Sequence, residues 1–145
     1  MNGKTTYMPK HFYGKVDYSS LVRTRDTLKR ILQTSQNEAE KMGVVQAFEI
    51  CYELSWRVLK KILRFRGVEA GAARDVFREA ARLKLLADAE RWFSYIEKRN
   101  VTVHAYRKEI LDELFSNTVR EFLQDLDQLL NQLEKEAPNY AANGN

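Results

Sequence analysis

The residues able to do chemistry are concentrated in one short run, Arg99-Asn100-Val101-Thr102-Val103-His104-Ala105-Tyr106. It holds a guanidinium that pairs with phosphate oxygens, an amide, an imidazole that titrates near neutrality and a phenol. Such a set can bind and break a phosphodiester. The other histidine, His11, sits in a polar stretch without partner residues, and the one cysteine, Cys51, lies in a different apolar segment. No ligand set for zinc or iron follows from these, so neither a metal nor a cofactor is expected. Glu49 and Glu53, four residues apart, could work as paired carboxylates. More simply, they face solvent or neutralise Arg57 and Lys60. The chain shows no phosphate-binding glycine loop and no Ser-His-Asp set with a supporting context.

Helical geometry limits how this run can act. On one continuous helix Asn100 and His104 share a face, but Arg99 and His104 lie about 140° apart and His104 and Tyr106 about 160° apart. A break brings them together, and Val101-Thr102-Val103 supplies three consecutive β-branched residues of low helix propensity. Arg99 then closes one helix and His104 opens the next, and a second subunit would bring two such sets together. A purely structural arrangement uses the same residues differently, with Arg99 capping a helix, His104 satisfied at a helix start and Tyr106 in the core. Spacing alone leaves both open.

The elements that must position this run are helices. The 145 residues suit one domain, and between Asp17 and Glu136 there is no proline, which favours long helices over a turn-rich sheet. The first helix is expected from Ser19 or Ser20 to just before Gly43, on a stripe of Leu21, Leu28, Ile31 and Leu32. The second runs from Val44 to about Arg66 with Gly67 as its C-terminal glycine. Its apolar arc is wide enough for a central position or for packing on a second subunit. A shorter helix follows from about Ala73 to Leu86, then one from the cap Asp88 to Arg99. The longest begins near His104 and ends with a near-heptad leucine seam. Trp56, Trp92, Tyr52 and Tyr95 read as bundle core. The expected fold is all-α, an antiparallel up-and-down bundle of four long helices and a shorter one over residues 18–136. Residues 1–17 form a flexible arm and residues 137–145 a disordered tail.

Charge is uneven. From Arg57 to Lys84 the net charge is +6, and from Glu109 to Glu136 it is −6. The basic stretch could meet phosphate or an acidic partner, and the acidic helix a basic one, while the simplest arrangement pairs them within the bundle. No run has the length of a membrane span and the first residues lack the apolar core of a signal peptide, so a soluble cytoplasmic protein is expected.

The motif Arg99-x4-His104-x-Tyr106 resembles that of the HEPN superfamily. Phe48-Glu49-x-x-Tyr52-Glu53-x-Ser55-Trp56 resembles the second-helix signature of its nucleotidyltransferase substrate-binding protein family. Arg74-Asp75-Val76-Phe77-Arg78-Glu79-Ala80, Trp92 and Arg99-Asn100-x-Thr102-x-His104-x-Tyr106 match the remaining blocks in order. The resemblance covers about Tyr18 to Leu133. It departs at Ala73, where a proline is common, and at Val103, where a small polar residue is common. It implies a homodimer with the two motifs facing an interfacial cleft, and a partner, the minimal nucleotidyltransferase of HEPN/MNT toxin–antitoxin pairs. It implies a metal-independent ribonuclease toxin acting on RNA and silenced by transfer of AMP to the motif tyrosine. Carried over, Arg99 holds the scissile phosphate, His104 is the general acid and base, Asn100 orients the site and Tyr106 is modified. The alternative is a non-catalytic substrate-binding subunit of the nucleotidyltransferase.

Overall fold

The computed structural model describes residues 11–141. The fold is all-α, with a small β-hairpin ahead of the helices. In the hairpin β1 (Phe12–Tyr13) pairs antiparallel with β2 (Val16–Asp17), Phe12 opposite Asp17 and Tyr13 opposite Val16. Gly14 opens the two-residue turn at φ +59°, where a primed hairpin turn takes glycine. This replaces the flexible arm over residues 11–17. The reason is Tyr13, which is fully buried, stacks on Tyr140 at 4.9 Å and donates its hydroxyl to Glu136 at 2.8 Å. Residues 137–140, expected within a disordered tail, form a 3₁₀ turn under the same contact. The remainder of the expected arm and tail, residues 1–10 and 142–145, lies outside the described residues.

Helix α1 (Ser19–Thr34) buries Leu21, Leu28 and Leu32. Helix α2 (Glu38–Phe65) begins earlier than Val44 because Asn37 and Glu40 form a capping box, the Asn37 side chain accepting from the Glu40 N–H and the Glu40 carboxylate accepting from the Asn37 N–H. That reciprocal bond satisfies two orphan donors and starts a helix outright. Gly43 therefore lies inside α2, where its missing side chain faces open space. At the other end Gly67, at φ +84°, closes α2 as expected, with the Val68 N–H bonded to the Leu63 carbonyl.

Helix α3 (Ala73–Arg82) stops short of Leu86. Leu85 N–H bonds back to Ala80 and Lys84 N–H to Ala81, so Lys84 takes the left-handed position at φ 65° that glycine usually holds. Helix α4 (Ala89–Val101) is capped by the Asp88 side chain on the Glu90 N–H. After a 3₁₀ turn over Thr102–His104, α5 (Lys108–Glu113), a π turn (Leu114–Thr118) and α6 (Val119–Glu136) form one continuous run. The last helix thus begins one turn later than His104. Arg107 is held extended at ψ 125°, and the chain re-enters the helix only after it.

Helix α2 is central: it touches every other helix and the hairpin. Phe48 meets Phe122 edge-on at 5.0 Å, and Trp92, Tyr95, Tyr52 and Phe77 complete the aromatic core. Trp56 departs from the expectation, because it is only half-buried. A second, smaller cluster joins Val45, Ala105, Leu111 and Leu114. No helix among the described residues is long and apolar enough to cross a membrane.

Candidate functional site

The break expected at Val101–Val103 is present, spread over Thr102 to Arg107, and the chain through it is laid along α2. Arg99 faces Glu49 and Glu53, with Nη1 to Glu49 at 3.6 Å and Nε to Glu53 at 3.8 Å. One turn on, the buried Thr102 hydroxyl lies within hydrogen-bonding reach of the Glu49 carboxylate and of the Arg99 carbonyl. Having one proton, it donates to one of them at a time. Next, Ala105 packs into the cluster with Val45. The segment therefore runs antiparallel to α2, from beside Glu53 towards Val45.

The exposed side chains of the run project from this seam. His104 and Tyr106 meet edge-on, 6.4 Å between ring centres, and Tyr106 is 71% exposed, so its placement in the core is excluded. Asn100 is exposed on the last turn of α4. No printed hydrogen bond, ion pair or ring contact among the described residues joins Arg99 to His104 or to Asn100. The two pairs brought together are Arg99 with its carboxylates and His104 with Tyr106.

The electrostatics around Arg99 are unusual for a lone cation. Two carboxylates face one guanidinium, at distances longer than good hydrogen bonds, and the buried Nε has no hydrogen-bond partner. Arg99 is oriented by charge, and the third of its side chain that is exposed, rather than the buried Nε, is what an arriving anion can meet. Glu53 also accepts from the Trp56 indole at 3.1 Å and pairs with Arg57 at 3.6 Å. Burial pushes the neighbouring Tyr52 phenol up to about 12, with Glu53 adding to the shift and Arg99 opposing it. A shallow concavity of ≈ 390 Å³ opens between Glu49, Ile50, Glu53, Leu54, Arg57 and Arg99.

Sequence reasoning placed Glu53 correctly against Arg57 but missed both carboxylates as partners of Arg99, and read Thr102 as part of the helix break without its contact to Glu49. Lys60, expected near those acids, instead donates to the Gly71 carbonyl at 3.2 Å. The available signal was joint membership: Glu49 and Glu53 stand in one family block and Arg99 and Thr102 in another. Cys51 is buried in the core, its thiol pushed up to about 12 by that burial. Among the described residues no three His, Cys, Asp or Glu side chains cluster as metal ligands would.

A family model described as nucleotidyltransferase substrate binding protein like matches residues 16–135. The chain belongs to that family. It is 33% identical over 98 residues, 64% of its length, to a Haemophilus influenzae protein named probable ribonuclease HepT, and spans 66% of that relative. A solved Haemophilus influenzae structure, presented as the fold of a substrate binding domain of a nucleotidyltransferase, superposes with a TM-score of 0.73 at 26% identity, covering 80% of this chain and 98% of that one. A Thermus thermophilus structure gives a TM-score of 0.72 at 26% identity, covering 78% and 98%. The HEPN-type resemblance read from the motif blocks and the all-α fold are thereby established for this member of the nucleotidyltransferase substrate binding protein like family.

Proposed function

We propose that this protein is the ribonuclease toxin of a HEPN/MNT toxin–antitoxin module, cleaving RNA in the cytoplasm without a metal and silenced by a partner nucleotidyltransferase. The observation that carries the reading is the placement of Arg99 beside α2. The guanidinium is oriented by Glu49 and Glu53 with a third of its side chain still exposed, and His104 and Tyr106 are exposed on the same docked segment. In the reaction a ribose 2′-hydroxyl attacks the adjacent phosphorus. One His104 removes the hydroxyl proton and a histidine in the acid form returns a proton to the departing 5′-oxygen, leaving a 2′,3′-cyclic phosphate. Arg99 stabilises the charge that develops on the phosphoryl oxygens. Asn100, exposed one residue on, orients the substrate. A homodimer supplies two such sets to one cleft.

Tyr106 is the control point in this reading. Its exposed phenol is open to the partner enzyme, which would join the phenol oxygen to the α-phosphorus of ATP with departure of pyrophosphate. The bulky anion then stands beside His104. The experiment is cleavage of RNA by purified protein in excess chelator, with DNA spared. Loss of cleavage in His104→Ala and Arg99→Ala supports the reading, and cutting by both variants at the parent rate overturns it.

The two carboxylates facing Arg99 favour a second reading, a non-catalytic subunit that docks on the nucleotidyltransferase and presents a substrate to it. In that case the site is a closed ion-pair cluster rather than a phosphate site. A stable complex with the enzyme, together with no RNA cleavage, would select it.

A further inference from the structure

The cations from Arg57 to Arg64 do not discharge against the acidic helix. Helix α6 is served by Arg25 and Lys29 on Asp127 and by Arg91 on Asp125. Among the described residues, Arg66 is the member of the basic stretch that joins it, at Glu136. The rest of the α2 set faces outward into a groove of ≈ 500 Å³, walled by Arg57, Lys60, Lys61 and Arg64, with Asp17 also at its wall, and floored in part by Leu54 and Trp56. Leu54 and Arg57 also line the concavity at Arg99, so the two depressions adjoin. From Glu49 to Arg64 this track extends roughly 22 Å along the axis of α2.

The groove's four cations outnumber the one carboxylate, Asp17, that lines it with them. Arg57 and Arg64, with side chains 65% and 67% exposed, hold their carboxylates only at 3.6 and 4.0 Å, and exposed pairs of that length are weak. Lys60 is bonded to a neutral carbonyl, which leaves its charge unspent. Trp56 lies among these cations, with the Arg57 guanidinium 5.7 Å from its ring. Alternating cations and an aromatic face in a groove are what a single strand requires, because the cations track phosphates while a base stacks.

We propose that the Arg57-to-Arg64 groove of α2 is the track along which a single RNA strand leaves the Arg99 site, phosphates on Lys60, Lys61 and Arg64 and a base on Trp56. This rests on the ribonuclease reading for the substrate class and adds the path. A strand with one phosphate at Arg99 passes Glu49 and Glu53, whose charges face Arg99 and Arg57, before it reaches the cations of the groove. The aromatic face set among the cations, which an acidic protein does not need, decides for a nucleic acid strand. The track reads backbone and stacking rather than the 2′-hydroxyl, so single-stranded DNA competes for it although it is not cut.

The test uses the full chain carrying His104→Ala, so that binding is measured without cleavage. Labelled oligouridylate is titrated across a salt series, and the intrinsic tryptophan emission is followed. With four cations engaged, log affinity falls against log salt with a slope near −3, and Lys61→Ala/Arg64→Ala makes it shallower by roughly 1.4 while weakening binding roughly ten-fold at low salt. The chain has two tryptophans, and Trp92 is buried at 2% exposure. RNA therefore quenches Trp56, and Trp56→Phe removes the quench. An unchanged slope in the double variant, or a quench that survives Trp56→Phe, overturns the track. So does a double variant that binds RNA normally but changes its sedimentation or its hold on the nucleotidyltransferase, since the groove is then a protein interface. Cleavage by the unmodified chain is assayed separately. RNA bound in the groove but never cut removes the ribonuclease and leaves the track, and cutting indifferent to the groove does the reverse.

Discussion

Replacing Glu49 by glutamine isolates what the carboxylates do to Arg99. The substitution keeps an oxygen that can accept from Thr102 and removes one of the two negative charges facing the guanidinium, the one at 3.6 Å. Two unit charges about 4 Å apart interact by roughly 4 kcal/mol at an effective dielectric of 20. Here 33% of the Arg99 and 26% of the Glu49 side chain are exposed, and solvent screening reduces the usable part to about 1 kcal/mol. A phosphodiester arriving at Arg99 meets the Glu49 charge at comparable range, so Glu49→Gln relieves a repulsion and tightens RNA binding about five-fold. The same change frees the guanidinium to wander, so cleavage at saturating RNA slows. Binding is measured by equilibrium titration in the His104→Ala background, and turnover by single-turnover cleavage with His104 intact. Affinity and rate should move in opposite directions. RNA binding that weakens, or a Glu49→Gln chain indistinguishable from the parent in both assays, refutes the argument that Glu49 both orients and restrains Arg99.

Three further outcomes follow from backbone and burial. Lys84 holds a left-handed φ of 65°, so Lys84→Gly should stabilise the fold by up to about 1 kcal/mol and raise the thermal midpoint by a few degrees. A Cβ on Gly14 would stand 2.2 Å from the Phe65 ring at a φ of +59°; Gly14→Ala should cost about 2 kcal/mol, read as a lower urea midpoint, because the ring and the Tyr13 contact must move. Burial holds the Tyr95 phenol above its ordinary 10.0, with the Asp125 hydrogen bond and charge adding to it, and lifts Tyr52 to about 12. Raised values favour the protonated phenol in the fold, so this stability is intact below about pH 10 and is lost as pH rises above it. The urea midpoint should be flat to about pH 9 and fall by about pH 11.

The helix break was legible in the sequence, because Val101-Thr102-Val103 is a β-branched run of low helix propensity. The partners of Arg99 were not. Glu49 and Glu53 stand 50 and 46 positions from it, and two acids at i, i+4 look the same whether they meet solvent or a buried cation. The α1–α2 boundary is written in the sequence as Asn37-x-x-Glu40, a capping box that the reading passed over in favour of Gly43, which a helix tolerates where nothing packs on it. The hairpin was hidden for a different reason. Tyr13 is buried by Glu136 and Tyr140, contacts from the far end of the chain that no local pattern announces.

The π turn at Leu114–Thr118 acts as a phase marker within one rod. Up to its first residue, Leu111 and Leu114 cluster with Ala105 and Val45 beside the motif; beyond it, Phe122, Leu126 and Leu129 belong to the main core. Deleting a single residue there would preserve a good helix yet rotate one half against the other by about 100°. Either the motif segment would lose its seat or the core would lose its aromatic packing. Length at that point therefore matters more to the fold than residue identity, and substitution at the exposed Ser116 and Asn117 costs less than loss of either.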